Sequence, residues 1–156
     1  MAISRSNPNI VYSLFEMDSP ALYRSDDFGD TWTLQSRNHD IAERAPYYTR
    51  MEISPSDPNE LFFASVRFST STDGGKTFSR LQAGGDNHDI WLDPTNGDRM
   101  MVAHDGCASI TLNHSKSFQR VVLPIAQMYH VSVDDKIPYN VYGNRQDGYS
   151  YKGPSN

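Results

Sequence analysis

Apolar residues along this chain come in short runs, as in Ile10–Phe15, Ala21–Tyr23, Leu61–Val66 and Met100–Ala103. Each run is closed by Gly, Pro, Asn, Asp or Ser. Runs of this length, rich in aromatic and β-branched residues and bounded by turn formers, predict strands joined by hairpins. The one helical turn predicted follows Asp40, where Asp40 and Glu43 stand at capping-box spacing.

The runs are in phase. Ser25-Asp26-Asp27-Phe28-Gly29-Asp30-Thr31-Trp32 returns as Ser71-Thr72-Asp73-Gly74-Gly75-Lys76-Thr77-Phe78. It returns again, degraded, as Thr111-Leu112-Asn113-His114-Ser115-Lys116-Ser117-Phe118. An Asp that bonds back to the backbone, a Gly with positive φ and an aromatic pinned to the core make a tight turn between antiparallel strands. A second element, Met1–Asn9, recurs as Met51–Asn59, Ile90–Asp98 and Val131–Pro138, a short strand running into a Pro/Asn/Asp turn. One unit therefore reads strand, turn, strand, loop, strand, acidic octet, strand. Four strands every ~40–50 residues is the signature of a β-propeller blade. The expected fold is all-β, a partial propeller of about three and a half four-stranded blades in one domain over 1–156. Its blades span about 1–35, 50–82 and 89–123, with a partial fourth over 128–152. An open ring leaves unpaired strand edges, so copies are expected to complete it, most simply as a homodimer.

Composition narrows the partners. A net charge of −5 and a pI near 5.4 argue against nucleic acid or an anionic membrane. No apolar run approaches the ~20 residues of a membrane-spanning helix. The start lacks the apolar stretch of a signal peptide, which predicts a cytoplasmic chain as written, or an exported parent if the chain is a piece. The single Cys107 excludes an internal disulfide and is expected to be a small buried residue.

The octets resemble Asp-boxes, the Ser-x-Asp-x-Gly-x-Thr-aromatic (BNR) repeats of sialidase-like propellers, also found in xyloglucanase-type glycoside hydrolases and the sortilin family. Gly85–Pro94 and Pro138–Gly143 resemble stretches of large bacterial glycosyl-hydrolase-like proteins with sortilin-type repeats. The resemblance spans nearly the whole chain. It implies the propeller fold and a carbohydrate-active parent, while the boxes themselves are structural. A sialidase's arginine triad and Tyr/Glu nucleophile pair are not found.

In an antiparallel blade the acidic octets and the Pro/Asn turns share one face, and the other loops share the opposite one. That opposite face carries His39-Asp40, Glu43-Arg44, Tyr47-Tyr48, Asp86-Asn87-His88-Asp89, His104-Asp105, His130 and Arg145-Gln146-Asp147. Loops on a rigid scaffold commonly hold function. Asp86, His88, Asp89, His104, Asp105 and Asp147 are the candidate catalytic residues, with Tyr47, Tyr48 and Arg145 as substrate-binding groups. Each has a structural alternative, turn capping for the Asp residues and satisfied hydrogen bonds for the histidines. Trp91, on an inner strand, is read as core. Because His88-Asp89 enters one strand and His104-Asp105 leaves its neighbour, the two pairs are expected to be adjacent.

Three functions fit. The first is glycoside-hydrolase-like cleavage or glycan binding by the open-face carboxylates. The second is a metal-assisted hydrolase of esters or phosphoesters, using His88, Asp89, His104 and His130. That second reading needs a bound metal to activate water, and no short-spaced metal motif supports it; the sequence as a whole requires no cofactor, and a divalent metal is compatible with it. The third is a non-enzymatic binding or assembly module for a glycan or peptide.

Overall fold

A computed structural model describes residues 1–44, 46–123, 128–146 and 148–156. The chain forms two compact units, Met1–Val122 and Leu123–Asn156. The first unit holds three four-stranded antiparallel meanders. Blade 1 comprises β1 (Ala2–Ile3), β2 (Val11–Phe15), β3 (Ala21–Ser25) and β4 (Thr33–Ser36). Blade 2 comprises β5 (Arg50–Ile53), β6 (Leu61–Ala64), β7 (Phe68–Ser71) and β8 (Ser79–Leu81). Blade 3 comprises β9 (Asn87–Leu92), β10 (Met100–His104), β11 (Cys107–Thr111) and β12 (Gln119–Val121). The second unit is a three-stranded antiparallel sheet, β13 (Met128–Val133), β14 (Asn140–Arg145) and β15 (Ser150–Pro154).

β6 explains how blades of the first unit stack. Its four residues, Leu61-Phe62-Phe63-Ala64, are all buried, and the period of two sends alternate side chains to opposite faces. Leu61 and Phe63 join Tyr12, Leu22, Met51 and Ile53 in one cluster. Phe62 and Ala64 join Phe68, Ile90, Met100 and Val102 in the other. Blade 2 is thus covered on both faces, as in a propeller. The same periodicity sets Trp91 apart. It lies between Ile90 and Leu92 on the other face of β9 and is 52% exposed, so it is not the core residue expected.

Equivalent backbone bonds fix the repeat. The amides of Ser4, Ser54, Asp93 and Asp134 donate to the carbonyls of Ile10, Glu60, Arg99 and Asn140 at 3.0, 2.9, 3.1 and 3.2 Å. Within the octets, Asp27 accepts from the Thr31 amide (2.8 Å) and hydroxyl (2.5 Å), and Asp73 accepts from Thr77 in the same way (2.9 and 2.7 Å). Bonds from Ser25 and then Thr31 hold the Asp27 carboxyl down at about 2. Gly29 and Gly75 donate to Ser25 and Ser71 Oγ at 2.8 and 2.9 Å. Both adopt positive φ, 101° and 87°.

Two local expectations are corrected. Trp32 is 38% exposed, and its Nε1 donates to the Gly29 carbonyl at 2.8 Å, closing its own turn rather than anchoring a core. Its equivalent Phe78 does pack inward, edge-on to Phe63 at 5.5 Å. The helical turn is a single 3-10 turn over His39–Ile41 capped by Asn38, whose side chain accepts from the Asp40 amide. No capping box forms, because Asp40 and Glu43 instead pair with Arg67. Cys107 is half-buried, at φ 108°.

Candidate functional site

The loop between blades 1 and 2 is tied to blade 2 by charge. Arg67 reaches both Glu43 and Asp40, Arg80 reaches Asp40 at 2.9 Å, and the Glu43 amide donates to Ser65 Oγ at 2.9 Å. The Arg80 bond, foremost, holds the Asp40 carboxyl below its ordinary value. So anchored, the loop presents Arg44, Tyr47 and Tyr48.

The loop entering blade 3 meets them. Asp86 takes positive φ (53°), and its amide donates to the Val66 carbonyl at 3.0 Å. Asn87, fully buried, donates from its amide and from Nδ2 to the Ser65 carbonyl at 2.8 and 3.1 Å. These bonds aim Asp86 at the Tyr48 hydroxyl, which donates to it, with Arg44 Nη1 3.1 Å from that hydroxyl and 3.4 Å from the carboxylate. Burial, and then the bond to Asp86, push the Tyr48 hydroxyl above its ordinary value.

His88 lies against the Tyr48 ring, centroids 4.6 Å apart, and its Nε2 is 2.7 Å from Asp105 Oδ1. A carboxylate on Nε2 places the proton of the neutral ring there and leaves Nδ1 as an acceptor. Arg44 also stacks over the rings of Tyr47 and Tyr48, 5.6 Å from each centroid. Tyr48 is buried beneath these neighbours, whereas Tyr47 is 75% exposed and offers an open ring.

Of the sequence candidates, Tyr47, Tyr48, Asp86, His88 and Asp105 come together. Asp89 is on the same inner strand and pairs with Arg50 Nε of β5 at 3.0 Å. His104 points the other way because it continues the buried face of Met100 and Val102 on β10, whereas the register shift opposite it leaves His88 as the extra residue of β9, on the exposed side. It is buried beside a cleft of about 320 Å³ whose lining includes Gly84, Ser109 and Arg120. Its Nδ1 accepts from the Gly106 amide at 3.0 Å, and its Nε2 donates to Ser109 Oγ at 3.0 Å. Ser109 donates onward to the Ala83 carbonyl. Burial, foremost, lowers its pKa. Arg145 and His130 lie in the second unit, and Asp147 lies outside the described residues. Among the described residues no group of three or more His, Cys, Asp or Glu is arranged to hold a metal ion.

Sequence reasoning placed Arg44 on the open face without giving it a role, and missed Arg50 and Glu52 as site residues. Glu52, on inner strand β5, lines a cleft of about 470 Å³ with Leu14, Glu16, Thr49 and Arg50. Burial, foremost, raises its carboxyl pKa. The available signal was a charge between Met51 and Ile53, on the opposite face of the strand from the core.

Solved propeller structures resemble this chain. The GH74 enzyme of Niastella koreensis matches 99% of the chain at 18% identity with a TM-score of 0.61. The GH74 xyloglucanase of Xanthomonas campestris matches 98% at 13% identity with a TM-score of 0.57. YCF48 bound to D1 peptide matches 91% at 14% identity with a TM-score of 0.50. The chain spans 28% of either GH74 chain and 44% of the YCF48 chain. No family model and no curated protein matches it. The fold is a partial β-propeller.

Proposed function

We propose that the chain is a carbohydrate-active propeller module that engages a glycan on the face opposite the acidic octets. The octets are read as Asp-boxes with a purely structural role. The observation that carries this reading is the joint cluster of Tyr47, Tyr48, Arg44, Asp86, His88 and Asp105, an exposed ring beside fixed donors and acceptors. Sugars are recognised by that combination, a ring for the apolar face and oriented polar groups for the hydroxyls. The GH74 likeness in fold agrees with it. Glu52, whose carboxyl pKa is raised by burial and which lines the cleft of about 470 Å³, is assigned the proton donor for cleavage. A second copy is proposed to complete the ring.

Calorimetric titration with a polysaccharide panel that includes xyloglucan tests this, with reducing-end release as the second readout. Tyr47→Ala and His88→Ala are expected to weaken glycan binding at least about tenfold with a melting temperature within a few degrees. Glu52→Gln is expected to retain binding and lose cleavage. Absence of binding to every glycan, or variants that bind as the parent does, overturns the reading. Selective binding of a peptide, titrated alongside the polysaccharides, would overturn it in favour of a peptide module, the ligand class of the YCF48 complex.

A further inference from the structure

Blade 1 grips blade 2 through a specific clamp. Tyr12 on β2 and Arg24 on β3 are register partners, with the guanidinium 5.5 Å from the ring centroid. The Tyr12 hydroxyl donates to the Pro58 carbonyl at 3.0 Å, and Arg24 Nη1 donates to Asn59 Oδ1 at 2.6 Å. The clamp thus holds the Asp57-Pro58-Asn59 turn of the following blade.

Both halves of this clamp recur elsewhere without each other. The repeat bonds that equate Ile10 with Asn140 place Tyr142 where Tyr12 stands. Tyr142 and Lys152 are register partners on β14 and β15, and the Lys152 ammonium lies 5.6 Å from the Tyr142 centroid. At the corresponding positions blade 2 has Phe62 and Thr70, and blade 3 has Met101 and Ile110. The aromatic–cation pair therefore belongs to the first and fourth repeats alone. The turn it would hold, Asn7-Pro8-Asn9, is the equivalent of Asp57-Pro58-Asn59 and is exposed along its length. Its flank matches. Ile3 is 61% exposed where its equivalent Ile53 is 7%, and Met1 is 83% exposed where Met51 is 9%. That surface of blade 1 is the one blade 2 buries against blade 1.

We infer that Tyr142 and Lys152 of one copy clamp the Asn7-Pro8-Asn9 turn of a second copy, while Ile3 is buried beside it. Each copy gives one clamp and receives one, so two copies satisfy each other with two-fold symmetry. On docking, the Tyr142 hydroxyl turns from Asp134, to which it donates at 3.0 Å, towards the Pro8 carbonyl. Lys152 donates to Asn9 Oδ1, as Arg24 does to Asn59. The inference rests on the reading that a second copy completes the ring.

Light scattering and analytical ultracentrifugation of the 156-residue chain test both levels. A dimer is expected at micromolar concentration. Asn9→Lys sets two ammonium groups together and is expected to weaken it at least about tenfold. Lys152→Glu alone is expected to weaken it too, and the combination of Asn9→Lys with Lys152→Glu to restore it. Restoration is a readout that a merely structural role for either residue would not give. A chain that stays monomeric at high micromolar concentration overturns both the ring completion and the clamp. A dimer whose dissociation constant ignores all these substitutions overturns the clamp and leaves the ring completion standing.

Discussion

Gly29 and Gly75 occupy the same position of successive octets, with the same bond to a serine hydroxyl and both with positive φ. Only their surroundings differ. A Cβ on Gly29 would meet Trp32 Cζ2 at 3.5 Å, an ordinary contact. A Cβ on Gly75 would stand 2.4 Å from Leu22 Cδ2 and 3.4 Å from Leu61 Cδ1. Leu22 and Leu61 are fully buried between blades 1 and 2. An alanine in the left-handed region costs about 1–2 kcal/mol, partly offset by ~0.4–1 kcal/mol from the stiffer unfolded chain. Gly29→Ala should therefore cost about 1 kcal/mol. Gly75→Ala adds overpacking of a closed core, about 1–3 kcal/mol, for a total of about 2–4 kcal/mol. Urea titrations followed by tryptophan fluorescence and circular dichroism give both values, since two-state fits of the two probes should coincide. Equal losses for the two variants, or a larger loss at Gly29, would refute the assignment of Gly75 to the blade interface.

Two further outcomes follow from the same geometry. Ser115 replaces this glycine in the third octet, sits at φ 62°, and has a buried Oγ without a partner among the described residues. Ser115→Gly removes both costs and is expected to stabilise by about 1 kcal/mol, read as a rise in melting temperature; a fall would contradict it. His104 is held neutral, because protonating Nδ1 would turn a second donor on the Gly106 amide. Its pKa is lower folded than unfolded, so the folded state binds fewer protons and stability rises with pH. That contribution is complete above the ordinary value of 6.5 and is lost as pH falls through the lower, folded value. Melting temperatures between pH 8 and pH 5 should fall more steeply for the parent than for His104→Gln, and parallel profiles would sink the argument.

The strands and turns were legible because repetition multiplies a weak signal. One Asp/Gly octet is ambiguous, whereas three in phase with a second repeated turn leave little else. Which member of each pair faces the site was not legible. His88 and His104 have the same sequence context, each followed by Asp, yet His104 keeps the regular buried alternation of β10 and reaches Ser109, whereas a register shift leaves His88 as the extra residue of β9, turned out to Asp105. A shift of one residue reverses the face of a side chain, and nothing in the sequence marks it. Glu52 escaped, and Arg44 was placed on the open face without a role, for a related reason. Their positions depend on which loop is tethered to Arg67 and which side of β5 is dry, both set by residues far away in the chain.

The placement of β6 has a consequence for how the first unit comes apart. Its four side chains belong half to one interface and half to the other, so no intact interface remains once that strand leaves. Repeat arrays generally gain stability from nearest-neighbour coupling, and their ends fray first. Here the middle repeat carries both couplings in a single four-residue segment. Native-state hydrogen exchange should accordingly find the amides of Leu61–Ala64 opening only with the unit as a whole. A three-repeat array would then melt in one step, with its least replaceable part at its centre.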